Sequence, residues 1–193
     1  MSQLLQEVAE RLGESSLNAH MWAALDYAAA GFAVFPCVPR AKAPLTAHGW
    51  QDASTDPYLI RHWWERWPRA NVAISCGRVS GVIVLDFDTK GGGNGYQTLT
   101  KLIEKAPQIT NTPSVSTPSG GVHMYFNWNP DSSDSWWKDG PLGLEYKTNG
   151  SYVLAPPSVV AYADTAKNAG APPTGFYVGN GPLTRDRFLE VPF

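Results

Sequence analysis

Cysteine is nearly absent, with Cys37 and Cys76 the only two in 193 residues. They stand far apart and form no C-x-x-C spacing, so neither a disulfide framework nor a structural zinc site is expected. Charge of one sign is also missing, the formal net charge being −2. Such a chain has no general pull towards nucleic acid or membranes, and any polyanion needs a local patch or a metal centre. No run of 18 apolar residues occurs, and the polar start Met1-Ser-Gln-Leu-Leu-Gln-Glu-Val8 has no basic segment leading into an apolar one. The expectation is a protein in a reduced, cytoplasmic setting, neither exported by a recognisable signal nor inserted in a membrane. What is present is 43% hydrophobic, 17% charged and 12% aromatic residues, enough for one globular domain with a sizeable core.

Helical spacing is seen in Leu4, Leu5, Val8 and Leu12, and again from Leu17 to Ala30, with Gly31 as a C-terminal cap. Phe32 to Pro36 reads as a short strand before a loop rich in Pro, Lys and Gly. The next helix has Asp56 as N-cap, Pro57 in its first position and a stripe of Ile60, Trp63, Trp64 and Trp67, tryptophans expected to pack rather than to stack on bases. Asn71 to Ser75 and Gly81 to Asp88 read as two neighbouring strands joined by a turn, and Tyr96 to Lys105 as an amphipathic helix. Val122 to Phe126 alternates like a strand, and a polar insertion follows to Pro141. Gly143 to Lys147 and Ser151 to Ala155 resemble a hairpin about Asn149-Gly150. Beyond Val160 no periodicity is evident, and the tail reads as irregular or as the approach to a linker.

The strand Gly81-Val-Ile-Val-Leu-Asp-Phe-Asp88 ends in two carboxylates one residue apart. Alternation places Asp86 and Asp88 on one face with Val82 and Val84. By the same rule His123 and Tyr125 share a face of the second strand, and Glu145 and Lys147 a face of the third. If the three strands are neighbours, one face carries three carboxylates, an imidazole and an ammonium. Three carboxylates suit two divalent ions, the arrangement that clamps the attacking and leaving oxygens in phosphoryl transfer. His123 and Lys147 then suit triphosphate oxygens, with Ser119, Gly120 and Gly121 offering a hydroxyl and backbone N–H groups. Taken residue by residue, bland readings stay open: a solvated Asp-x-Asp loop, a structural histidine, a solvated Glu–Lys pair and a plain Ser-Gly-Gly turn.

The wording from Ala23 to Ser158 resembles the bifunctional primase-polymerase (Prim-Pol) domain of the archaeo-eukaryotic primase superfamily, found in plasmid, phage and other mobile-element replication proteins. The resemblance is carried by Gly31-Phe-Ala-Val-Phe-Pro36, Lys42-Ala-Pro44, Asp52-Ala-Ser-Thr-Asp56, Trp63-Trp64, Pro68-Arg-Ala-Asn-Val-Ala-Ile74, Ser80-Gly-Val-Ile-Val-Leu-Asp-Phe-Asp88, Thr117-Pro-Ser-Gly-Gly-Val-His-Met-Tyr-Phe126 and Gly150-Ser-Tyr-Val-Leu-Ala-Pro-Pro-Ser158, in the family's order. It implies an α+β primase fold, an N-terminal α/β unit and an RNA-recognition-motif-like sheet with the active site between them. It also implies that Asp86, Asp88 and Glu145 bind catalytic Mg²⁺ or Mn²⁺ and that His123 contacts the incoming nucleotide. Glu145 stands where relatives often have Asp, and the ligands of the zinc-binding insertion found in some relatives are lacking.

The expected boundaries are a catalytic domain over 1–160, with 1–16 a helical N-terminal extension, and 161–193 completing the domain or leading to a linker. The expected activity is template-directed DNA primase and polymerase chemistry, joining nucleoside triphosphates (dNTP or NTP) to a primer 3′-hydroxyl on a single-stranded DNA template. Many relatives continue into a helical priming domain and a helicase, so primer extension is expected ahead of de novo priming. Lys42 and Asn71 are further candidate nucleotide contacts, and Arg61, Arg66 and Arg69 a candidate template surface. Two other classes stay open: a metal-dependent nuclease or phosphatase using the same acids, and a non-catalytic single-strand-binding module, which needs exposed aromatics on a sheet face where acids are expected here.

Overall fold

The computed structural model describes residues 19–89, 94–130, 143–163, 168 and 171–191. The helix expected over 3–12, the glycines Gly91 to Gly93 and most of the polar insertion before Pro141 lie outside the described residues. Residues 19–29 are helical (α1). The helix closes at Gly31, whose φ of +88° lets the N–H groups of Gly31 and Phe32 bond back to the carbonyls of Ala28 and Tyr27, each at 2.9 Å. Helix α2 (Pro57–Arg66) starts as its sequence signals: Asp56 accepts from the Tyr58 N–H at 2.9 Å and Pro57 fills the first position. Its stripe of Ile60, Trp63 and Trp64 is buried, with Trp64 Nε1 donating to the Ala70 carbonyl at 3.1 Å, so these tryptophans pack.

Two antiparallel sheets and the helices around them make a mixed α+β fold. The first sheet has the order β1 (Val34–Cys37), β2 (Asn71–Ser75), β7 (Tyr152–Ala155), and shares a core with α1 and α2 through Ala24, Ala28, Ile60 and Trp64. The second has the order β10 (Val178–Gly179), β4 (Ser114–Ser116), β5 (Val122–Asn127), β3 (Val82–Phe87), β6 (Leu144–Lys147). One face of this second sheet packs Leu85, Phe87, Met124, Phe126 and Leu144 against Leu99, Leu102 and Ile103 of α3 (Gly95–Lys105). Val82, Val84, Val115 and Tyr125, on its other face, join the core of the first sheet. Strand β3 is therefore buried on both faces, as its nearly unbroken apolar run requires. A small pair, β8 (Val159–Ala161) with β9 (Thr174–Phe176), lies beside these.

Two sequence expectations are corrected. First, β2 and β3 are not sheet neighbours. Both edges of β2 are occupied by β1 and β7, and both edges of β3 by β5 and β6, leaving only an isolated bridge between Gly77 and Val82. Second, Asn149-Gly150 makes a turn but no hairpin: β6 pairs with β3 and β7 with β2, so the turn carries the chain from one sheet to the other. Asn149 Oδ1 fastens it by accepting from the Arg78 N–H at 2.9 Å. Over 171–191 the tail packs on the two sheets. It contributes Tyr177, Leu183 and Phe188 to the core and β10 to the edge of the second sheet.

Arg185 is the rivet of that tail. Its Nη2 donates to the carbonyls of Gly31 (2.7 Å) and Ser80 (2.6 Å), its Nε to Ala30 (3.3 Å), and its guanidinium lies 5.5 Å from the Phe32 ring centroid. Arg185→Ala is expected to lower stability by about 1–3 kcal/mol, since hydrogen bonds from a charged donor exceed ordinary ones. Urea unfolding with an unchanged slope checks this; no loss in the midpoint contradicts it. Among the described residues no helix is long and apolar enough to cross a membrane.

Candidate active site

The chemistry-bearing residues meet because β3 lies between β5 and β6 in register. Asp86 stands directly opposite His123 on one side and Glu145 on the other, and one pair further along Val84 stands between Tyr125 and Lys147. Directly opposite residues share a face, so His123, Asp86 and Glu145 form one row across three strands. The alternation read from each strand agrees with this placement, but the shared face is polar only towards one end. Val84 and Tyr125 are fully buried beneath it.

His123 Nε2 lies 3.4 Å from Asp86 Oδ1, and Lys147 Nζ lies 4.0 Å from Asp86 Oδ2 while making a closer ion pair with Glu145. Exposure falls steeply along the row: the Glu145 side chain is 62% exposed, that of Asp86 19% and that of His123 4%. Burial, with Glu145 and Asp88 acting in the same direction, pushes the Asp86 carboxyl up to about 6, against the opposing pull of Lys147 and Lys42. These groups line a cleft of about 370 Å³ between the sheets, with Asp86, His123 and Lys147 from the second, Tyr152 from the first, and Lys42 and Tyr177 from flanking segments.

Asp88 follows the end of β3, where the chain is boxed in by backbone. Its N–H donates to the Gly143 carbonyl at 2.7 Å and its carbonyl accepts from the Gly95 N–H at 3.1 Å. Ser119, Gly120 and Gly121 form the turn stacked on this strand end. The Gly120 N–H donates to the Thr117 carbonyl at 3.0 Å, Thr117 and Ser119 hydroxyls lie 3.2 Å apart, and Thr89 Oγ1 donates to the Ser119 carbonyl at 3.1 Å. Asn71 is buried away from the cleft lining. Its amide donates to the carbonyls of Ala41 (2.9 Å) and Val159 (2.7 Å) and accepts from the Val159 N–H (3.0 Å), so it ties down the loop that carries Lys42. Tyr152 supports the same loop by donating to the Lys42 carbonyl at 3.0 Å. On α2, Arg61 and Arg66 lie over the rings of Trp22 and Trp67.

Tyr152 and Tyr177 are cleft residues that sequence reasoning did not single out. Tyr152 stands in a legible strand, but Tyr177 lies in an aperiodic tail where nothing marks it. Burial raises the Tyr177 phenol well above its ordinary value, so it faces the cleft as a neutral hydroxyl, its ring 5.6 Å from that of His123. Cys76 is fully buried, its thiol pushed up to about 12, which rules it out as a nucleophile at neutral pH.

A divalent cation suits one feature of this donor set. Asp86 is a carboxylate held out of water beside two other acids, which an opposite charge relieves. In the arrangement seen, Glu145 turns onto Lys147, and no three His, Cys, Asp or Glu side chains among the described residues converge on a common point. For Glu145 to join a cation at Asp86 it would have to leave Lys147, a side-chain rotation open to so exposed a group.

Comparison with known proteins gives one family. The model of the bifunctional DNA primase/polymerase N-terminal domain, Prim-Pol, matches residues 24–174. No curated protein matches the chain.

Proposed function

The chain belongs to the bifunctional DNA primase/polymerase family, and from that premise we propose that the row His123–Asp86–Glu145 is the centre of template-directed nucleotidyl transfer in a primase-type fold. Membership makes nucleic acid and nucleotides the substrates in general terms. The observation that carries the finer reading is the register itself: one strand places Asp86 between a histidine and a second carboxylate, over a cleft that also receives two lysines.

In this reading a primer 3′-hydroxyl attacks the α-phosphate of a bound nucleoside triphosphate in line, and pyrophosphate leaves. Asp86, Asp88 and Glu145 would hold the Mg²⁺ or Mn²⁺, which would supply positive charge to offset the negative charge developing in the transfer. His123 donates to the triphosphate from Nε2, the ring nitrogen turned towards Asp86. Lys147 and Lys42, both in the cleft lining, bring point charges to the phosphates. Lys147 exchanges its contact with Glu145 for the nucleotide, which frees the Glu145 carboxylate to rotate. Ser119 and the Ser-Gly-Gly turn hold the end of β3 and lie next to Asp88. Asn71 acts at one remove, by fixing the Lys42 loop. Replication of a phage, plasmid or other mobile element, with a helical priming domain and a helicase as partners, is the setting that fits such a domain.

The test is extension of a labelled primer on a single-stranded template with dNTP or NTP. Additions that follow the template, cease on chelation and return with Mn²⁺ or Mg²⁺ support the reading. Degradation of the strand without nucleoside triphosphates would replace it with a nuclease, and strand binding indifferent to both metal and nucleotide would replace it with a binding module.

A further inference from the structure

Trp50 is 37% exposed in a protein whose other tryptophans on α2 are buried. It sits in the short 3-10 turn Gly49–Asp52, which is fastened on both sides. Thr46 Oγ1 donates to the Gly49 carbonyl at 2.9 Å. The Asp52 carboxylate accepts from the His48 backbone N–H at 2.8 Å and meets His48 Nδ1 at 2.9 Å, and the Ala53 N–H closes on the Trp50 carbonyl at 3.2 Å. Gly49, at φ +64°, lets this turn lie against Pro44, two residues beyond Lys42. The ring is thus held on a small rigid mount next to the loop that brings Lys42 to the cleft.

The edge of the indole lies near Gly150: a Cβ built there would be 3.8 Å from Trp50 Cζ2. Gly150 itself lines the cleft with Asp86 and Lys147, and it brings no side chain between the ring and the opening. Trp22, also exposed, differs in having the Arg61 guanidinium over its ring. Trp50 therefore combines an exposed ring, a fixed mount and a place beside Gly150 at the cleft rim.

We propose that Trp50 is a stacking platform for a nucleobase at the rim of the cleft, an inference that rests on the nucleotidyl-transfer reading. A nucleotide whose phosphates meet Lys42 and Lys147 carries its base several bonds further out, where a flat aromatic offers it a face. Stacking tolerates any base because every base has a π face, which suits an enzyme that copies any template. The base belongs either to the incoming nucleoside triphosphate or to the single strand, and binding measurements separate the two.

The experiment measures the affinity of the full chain for a nucleoside triphosphate, for a labelled single-stranded oligonucleotide and for inorganic tripolyphosphate, each with Mn²⁺. Trp50→Ala and Trp50→Leu are expected to weaken at least one of the base-containing ligands by roughly 5- to 100-fold, and Trp50→Phe to restore most of the loss. Tripolyphosphate binding should change less than twofold, which a merely structural role would not spare. Loss confined to the triphosphate assigns the incoming base, and loss confined to the oligonucleotide assigns the template. Unchanged affinity for both, or an equal loss for tripolyphosphate, overturns the stacking role while leaving the catalytic reading in place. A natural chain that binds neither base-containing ligand overturns both.

Discussion

Replacing Asp86 with asparagine is expected to cut template-directed extension by about a hundredfold or more and, in metal-free buffer at pH 8, to make the protein more stable. The loss follows from its place in the cleft: Asp86 stands directly opposite both His123 and Glu145 and lies within 4.0 Å of Lys147. The gain follows from desolvation. The carboxyl rises from its ordinary 3.8 to about 6 in the folded chain, because burial and the neighbouring acids disfavour its charge more than Lys147 and Lys42 favour it. A carboxyl raised by folding costs nothing while it is protonated, below about pH 4. It costs progressively more as pH climbs through about 6, where the unfolded chain has already released the proton. At pH 8 that shift amounts to about 1–3 kcal/mol, which Asp86→Asn removes. The two unfolding midpoints should therefore diverge from pH 4 to pH 7 and coincide below it. Added Mn²⁺ should raise the natural chain's midpoint and leave the variant's nearly still, because an ion that binds only the folded state stabilises by mass action. Equal midpoints at every pH, or an asparagine variant that still extends primers, would sink this account of the site.

Local signals reported faces and caps faithfully, and they did so for a physical reason. Alternation along β3, β5 and β6 depends only on the pleat, so Asp86, His123 and Glu145 were assignable to one face each before any pairing was known. The Asp56-Pro57 start and the Gly31 stop depend on one turn of backbone and were legible in the same way. Partner choice is a non-local competition. Asn149-Gly150 specifies a bend, yet whether its arms pair with each other is decided by β2 and β3, each of which offers an open edge to one arm. The tail was opaque because its contribution is not periodic. Tyr177, Leu183 and Phe188 reach the core singly, and Arg185 works through three carbonyls and one ring, none of which leaves a pattern in sequence. Gly121 was read as a turn residue and Gly143 as the first residue of a hairpin arm, although the lack of a side chain there and at Gly95 is what lets the backbone close around Phe87 and Asp88.

That closure sets up a second large effect, in Gly121→Ala. Gly121 needs no left-handed backbone, so alanine meets no conformational penalty there. Its methyl group would instead fall deep inside van der Waals contact with the Phe87 carbonyl oxygen and 3.1 Å from Thr117 Oγ1. The carbonyl has nowhere to go. Phe87 is paired with Val122 on one side and Leu144 on the other, and beyond it the Asp88 carbonyl lies 2.6 Å from where a Gly95 Cβ would be. Either the turn lifts away or the end of β3 shifts, and that end carries Asp86 and Asp88 on either side of Phe87. Overpacking of this kind costs about 1–3 kcal/mol, and a displacement near 1 Å in a catalytic group costs about a hundredfold in rate. Gly120→Ala separates this mechanism from simple turn strain. Gly120 has φ +87°, but the nearest atom to its Cβ, Thr89 Oγ1, is 3.5 Å away, so alanine there incurs about 1–2 kcal/mol of left-handed strain and no clash. Measured below both unfolding transitions, extension per folded molecule should fall far more for Gly121→Ala than for Gly120→Ala. Equal activities at matched stability would mean that the end of β3 is held by something other than the close approach of these backbones.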